Sequence, residues 1–585
     1  MKAFTEPLLS LAGFEEMTKT AEKSSGLISV TGCIDAQKSQ MIYAFGGHRK
    51  NKLIVTFGEQ KAKELYDEYS FFDKEVVYYP SKDVLFYQSD IRGNLLTAER
   101  IRALKAIREQ ESVTLVTTFD ALMNTMAPIE KMWENVLTLE QGQLLDLKEI
   151  QAALIRMGYE KEYQVQTMGQ FSVRGGILDV FPLTEENPIR IELWGDDIDT
   201  IRYFDCESQK SIENTDRVSI YPAAELVLSD EEKAGGIEKL KAEAKRVSDK
   251  LRKQMKTEEA HRVSVMADEL TEEWGELSMY AGMDAFLSYF FDERVGLLDY
   301  FNPSDSLIFF DELTRCTEQG KLTETEFSES MKQRLAMGYI LPGQMNGLFT
   351  EKEIVAKLEK YSCIALGALD NKANGLHQLG SYGIHCQSVS PYNNSFELLI
   401  KDLKRYKKNG YRVILLSGSR TRAKRLSEDI TDQGITCFYT ENYDHELFEG
   451  QIMVCYGKVR RGFEYPILKF AVITESDIFG AQQKKKKRHR TYEGEKIQSF
   501  TDLSVGDYVV HENHGLGIYR GIEKLEVDKK VKDYIKIEYQ GGSNLYILAT
   551  QLDMIQKYAG KDARKPKLNK LGGQEWTRTK NRVRG

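Results

Sequence analysis

Leu27 to Ser39 reads LISVTGCIDAQKS, a short apolar run that closes on Gly32 and passes into a helical stretch carrying Lys38 and Ser39. A second run, KLIVTFG at 52–58, is also apolar, ends in glycine and precedes the helical QKAKELYDEY at 60–69. The rhythm continues with VVYYP at 76–80, a helix around AERIRALKAI at 98–107 and VTLVTTF at 113–119. Strands that alternate with helices in this way predict a parallel, doubly wound α/β sheet.

The turn after the first run, GCIDAQKS at 32–39, has the spacing GxxxxGK[ST] with Gln37 where the second glycine belongs. Such a loop wraps backbone N–H groups around phosphates while its lysine reaches them and its Ser/Thr holds magnesium. A glutamine there puts a side chain where the backbone has to turn. Far downstream, LIFFDE at 307–312 has the form of the apolar strand that ends in a metal-holding acid, and it is expected to rejoin the first sheet. Gly32, Lys38, Ser39, Asp311 and Glu312 are therefore expected to form a degenerate, inactive nucleotide site, and no residue is assigned a catalytic role.

At 585 residues the chain is long enough for about four domains, and 41% hydrophobic with 29% charged residues is the composition of a globular protein. No apolar stretch reaches the roughly 18 residues that span a bilayer, and the start, MKAFTEPLLSLAGFEE, lacks a signal-peptide pattern. The seven cysteines include no CxxC pair, so neither a disulfide framework nor a zinc cluster is spelled out, and a reducing cytoplasm is expected. The formal charge of −8 is unevenly spread. Residues 481–500 carry seven Lys/Arg against two acids, residues 561–585 nine against two and residues 501–560 seven against nine, which leaves −18 on residues 1–480. An acidic body of that size repels nucleic acid, so a DNA grip is expected near the C-terminal end.

The α/β pattern of residues 1–140 gives way over 141–225 to alternating β segments, YQVQTMGQFSVRGGILDVFP, PIRIELWGDDIDTIRYFD and RVSIYPA, with a helix before them. Residues 226–349 return to charged helices and the LIFFDE strand, as the remainder of the first module. A small second α/β unit is expected over 350–480, starting with SCIALGAL at 362–369 and continuing through YRVILLSGS, QIMVCYG and FAVITESDIFG. Residues 481–498 form a basic linker. Residues 499–560 are β-rich with glycine turns and predict a small barrel. Residues 561–585 start a helix without a stop signal, and the chain is expected to be truncated there.

Three further constellations bear on function. His511 and His514 in HENH lack a nearby third ligand and lie on strand and turn, so they read as structural rather than as a metal pair. KKKKRHR at 484–490 is either a phosphate contact or a solvated linker. Arg174 precedes Gly175 and Gly176, and residues 190, 192 and 194 share one strand face, which carries Arg190 and Trp194. An exposed face would make them a binding hot spot; a buried Trp with a snorkelling Arg is the bland reading, and the two stay open.

GQFSVRGGILDVFP, IRYFDCESQKS, GFEYP with SDIFG, VVHENHGLGIY and LGGQEW are similar, in order and spacing, to the N-terminal half of the bacterial transcription-repair coupling factors. The resemblance covers nearly all of the chain. It implies a RecA-like, UvrB-like first module with a degenerate phosphate loop, in keeping with Gln37. It implies a UvrA-binding surface in the β insertion, at Arg174, Arg190 and Trp194, with Trp194 where the family pattern has Phe. For 499–560 it implies a CarD-like domain that binds the RNA polymerase β subunit, with Leu525 as an apolar contact. The family's ATP- and magnesium-dependent DNA translocase, of helicase superfamily 2, is expected beyond residue 585, so this chain is expected to hold no cofactor of its own and to meet duplex DNA mainly through that motor. The implied role is to link stalled polymerase to excision repair. Two alternatives are a UvrB-like damage-binding ATPase and a CarD-like transcription regulator without a repair role.

Overall fold

The computed structural model describes residues 1–46, 50–82, 94–206, 208–276, 283–369, 375–480, 494–496, 503–511, 515–527, 530–540, 543–548, 555–558 and 568. Among them the largest sheet has seven strands in the spatial order 378–383, 26–31, 362–366, 306–311, 51–56, 113–118 and 77–79. Every pairing in it is parallel. Both faces of the sheet are covered by apolar clusters. Leu53, Val55, Leu115, Ile308 and Phe310 point into one core, and Ile28, Val30, Ile54, Leu307 and Phe309 into the opposite one.

Leu307–Asp311 rejoins this sheet as expected, pairing with Asn51–Val55 on one side and Ser362–Leu366 on the other. SCIAL does not. Expected to open the second α/β unit, Ser362–Leu366 instead lies in the middle of the first sheet, between Gly26–Thr31 and Ser306–Asp311, and the edge strand Gln378–Gly383 extends that sheet further. A five-residue buried apolar strand carries no local mark of which sheet it enters; a crossover connection decides that. The second α/β sheet therefore starts only at Gln387.

The β insertion is a sheet of six described strands, in the order 211–215, 197–204, 189–194, 177–180, 170–174 and 160–161, antiparallel except for the last pair. One face packs on the helix Leu147–Arg156, through Ile150 and Leu154 against Phe171, Leu178, Val180, Ile189, Ile191 and Ile201. Asp146 starts that helix by accepting from the N–H groups of Lys148 and Glu149. Leu137–Glu140 and Arg217–Ile220 pair antiparallel, so the insertion leaves and returns through one two-stranded neck. Just past the neck, buried Arg100 binds Glu225 at 2.8 Å and stacks on the Tyr79 ring, while Lys82 reaches the same carboxylate at 3.0 Å. This cluster ties the exit of the insertion to the first module.

Asp230–Lys253 and Thr257–Glu276 form the charged helical hairpin, the first helix opened by a Ser229–Glu232 capping box. The second α/β unit has six described strands around a parallel centre, and Ile414, Leu416, Met453 and Cys455 share a core with the first sheet. The C-terminal unit, expected as a barrel, has six described strands in one antiparallel sheet, in the order 494–496, 555–558, 508–511, 515–527, 530–538 and 544–548. Its core is Val509, Tyr519, Ile535, Ile537, Tyr539 and Ile555. No helix among the described residues is long and apolar enough to cross a membrane.

Candidate functional site

At the phosphate-loop motif, Gly32 has φ +78, and a Cβ there would lie 2.1 Å from the Ile384 carbonyl oxygen, so only glycine fits. The loop is short. Its N–H groups at Gly32 and Cys33 donate to Ala368 and Gly367 carbonyls, and the helix Asp35–Phe45 is already under way by Gln37. Gln37 is thus a buried residue of the first helical turn, so no second glycine turn exists there. Lys38, 1% exposed, points across the C-terminal end of the sheet and donates to Asp311 at 2.6 Å, Glu312 at 2.9 Å and Asp35 at 3.2 Å. Thr56 donates to the other Asp311 oxygen at 2.8 Å, and the Ala368 N–H to Glu312 at 3.2 Å. Burial alone would depress the Lys38 ammonium, but the Asp311 and Glu312 carboxylates outweigh it and hold its pKa above the ordinary lysine value. Ser39 is buried one residue on. The structure thus brings Gly32, Lys38, Ser39, Asp311 and Glu312 together, with the lysine committed to internal carboxylates.

The second candidate lies on the face of the insertion sheet turned away from its helix. Direct antiparallel partners project to one side, so the register gives its rows. Asp179 faces Ser172 and Arg190, and Arg190 faces Arg202. In the next row Arg174 faces Ile177, Ile177 faces Glu192, and Glu192 faces Thr200. Trp194 follows, opposite Asp197, at the hairpin end that Gly195 turns with φ +66. Arg174, Arg190 and Trp194 therefore share one face.

Their environments differ. Trp194 is 82% exposed, which removes the reading of a buried Trp beneath a snorkelling Arg. Arg190 is the held member: its side chain is 12% exposed, its centre lies 4.2 Å from the Phe204 ring centroid, and it clasps Asp179 through Nε at 2.7 Å and Nη2 at 2.8 Å. Arg174, 36% exposed, donates to the same Asp179 at 2.8 Å. Arg202 pairs with Glu192 in front of them. Asp179 was not singled out from sequence, although a lone acid inside the apolar ILDVF strand was the available signal. It is buried, and one carboxylate orients both arginines.

In the C-terminal unit Leu525 sits on the strand Gly515–Val527, opposite Lys532. From Ile522 to Val527 that strand pairs with the 530–535 segment, and among the described residues no strand pairs with its other edge there. His511 is buried at a strand end, while His514, the basic run 484–490 and LGGQEW lie outside the described residues. No His/Cys/Asp/Glu group that could hold a metal occurs among the described residues.

Residues 137–226 match the family model "UvrB interaction domain", and residues 503–559 match "CarD-like/TRCF RID domain". A transcription-repair-coupling factor of Bacillus subtilis is 32% identical over 534 residues, 91% of this chain and 45% of that protein. Those of Staphylococcus haemolyticus and Staphylococcus aureus are 30% and 29% identical over 95% and 97% of the chain, and 47% and 48% of their own lengths. The chain spans about half the length of the curated relatives it matches. Over nearly its whole length this is a transcription-repair-coupling-factor-like chain, with matches to a UvrB interaction domain and to a CarD-like/TRCF RID domain.

Proposed function

We propose that this chain is the docking part of transcription-coupled repair: it holds UvrA through the insertion sheet and RNA polymerase through the C-terminal sheet, linking a stalled polymerase to excision repair. The carrying observation is the presence in one chain of two matched interaction domains, 137–226 and 503–559. On the first, Arg174 and Trp194 contact UvrA directly and Arg190 braces the surface through Asp179. On the second, the strand edge near Leu525 adds to a sheet of the polymerase β subunit, with main-chain hydrogen bonds supplying affinity and side chains specificity.

The phosphate loop is a structural joint in this reading. Nucleotide phosphates would have to displace Asp311 and Glu312 from Lys38, and the short loop leaves few free N–H groups to receive them. ATP and magnesium, and the translocation of duplex DNA that the resemblance implies, are assigned to parts of the longer relatives that this chain does not match, and the place of action is the cytoplasm. Binding of the purified chain to UvrA and to RNA polymerase, separately and together, tests the proposal. A ternary complex is expected. Polymerase binding without UvrA would favour a CarD-like regulator, and magnesium-dependent ATP turnover abolished by Lys38→Ala would favour a UvrB-like ATPase.

A further inference from the structure

The insertion face continues past Trp194 onto a segment fifty residues away in sequence. The turn before the Leu147–Arg156 helix is stitched to the start of the Asp197–Phe204 strand: Gly142 N–H donates to the Ile198 carbonyl at 2.8 Å, Ile198 N–H to Gln143 at 2.9 Å and Leu145 N–H to Asp196 at 2.8 Å. These bonds set Leu144 in an antiparallel bridge opposite Asp197. Asp197 therefore has Leu144 on one side and Trp194 on the other, and all three side chains project from the same face.

Leu144 is 72% exposed, and Asp197 is exposed with it. Adjacent strands lie about 4.8 Å apart, so the row places a carboxylate between two large apolar side chains within roughly 10 Å. The acid is available: Asp179 and Glu192 on this face are engaged by arginines, whereas no ion pair to Asp197 occurs among the described residues. Asp196 and Asp199 add to the negative charge of this end.

We propose that the Leu144–Asp197–Trp194 row is a second contact region of the UvrA-binding face, and that it takes a basic side chain set in apolar surface. The inference rests on the reading of 137–226 as a UvrA-binding domain. Its chemistry differs from that of the arginine pair. Arg174 seeks an acceptor on the partner, while this row supplies a carboxylate for a guanidinium or ammonium, with Leu144 and Trp194 excluding water around the pair. A partner surface must then present an acceptor and a cation at set places, which fixes orientation as well as affinity.

The test uses the full chain and purified UvrA. Dissociation constants are measured for the wild type, Leu144→Ser, Asp197→Lys and Arg174→Ala, each with its melting temperature. Leu144 and Asp197 are exposed, so both variants are expected to melt like the wild type. Each is expected to weaken binding roughly ten-fold or more. If Arg174→Ala weakens binding while Leu144→Ser and Asp197→Lys both bind like the wild type, the row is not part of the interface, and the UvrA reading stands without it. If the wild-type chain does not bind UvrA, the reading falls and this inference falls with it. If Leu144→Ser melts early, Asp197→Lys decides alone: wild-type affinity there overturns the inference.

Discussion

Lys38→Met removes the ammonium from the phosphate-loop cluster at nearly constant volume, so the loss is electrostatic rather than a cavity. Asp311 is buried, and of its two carboxylate oxygens one keeps the Thr56 hydroxyl while the other loses the 2.6 Å lysine contact. Glu312 is partly open to water and tolerates the loss better. Breaking a buried pair from one side costs about 3–5 kcal/mol, because a charge stays behind without its partner. A cooperative unit of a few hundred residues shifts by a few degrees per kcal/mol, so the transition that reports the first sheet should fall by roughly 5–15 °C. Lys38→Met with Asp311→Asn removes both charges and should regain most of that loss, a non-additive result that identifies the pair as the cause. Differential scanning calorimetry at neutral pH is the assay, repeated with millimolar magnesium-ATP. The reasoning fails if Lys38→Met melts like the wild type. It fails equally if nucleotide raises the wild-type transition and leaves the variant unmoved, since ligand binding to the folded state would then account for the lysine.

Burial alone would raise the Glu225 carboxyl, but Arg100 and Lys82 bring it down to about 2 from an ordinary 4.5, which corresponds to about 3 kcal/mol. Because the folded value is the lower one, this stability is present above about pH 4.5 and is lost as pH falls toward 2; a melting-temperature profile of Glu225→Gln should therefore lie below the wild type at pH 7 and converge with it on acidification, and parallel profiles would reject the assignment. Arg190→Ala should lower the melting temperature, since that side chain is stacked and largely covered, whereas Arg174→Ala should leave it unchanged and weaken UvrA binding. Asp179→Asn should weaken UvrA binding with both arginines still in place, because it releases the pair together; wild-type affinity would show that their orientation is irrelevant. Leu525→Arg should reduce binding to the polymerase β subunit by placing an unpaired charge in the contact, with circular dichroism unchanged, and equal affinity would remove Leu525 from that surface.

Local pattern was enough for much of this molecule. The short, mainly apolar runs around 27–31 and 53–56, each closing on a glycine ahead of a helical stretch, point to parallel strands, and the alternation through IRIELW determines that Arg190, Glu192 and Trp194 share a side, because side chains along a strand repeat every two residues. The substitution at Gln37 already argued against a working phosphate loop, since that argument needs only the backbone geometry of one turn. Partners and exposure were decided by the tertiary structure. SCIAL looks the same in either α/β sheet, and the crossover from the Glu351–Leu358 helix carries it to the centre of the first. Lys38 meets Asp311 across 273 residues, Asp179 gathers two arginines from neighbouring strands, and Leu144 stands beside Trp194 only through the pairing of Asp197. Register and crossover come from the packing of whole faces against one another, a long-range energy that no short window of sequence contains.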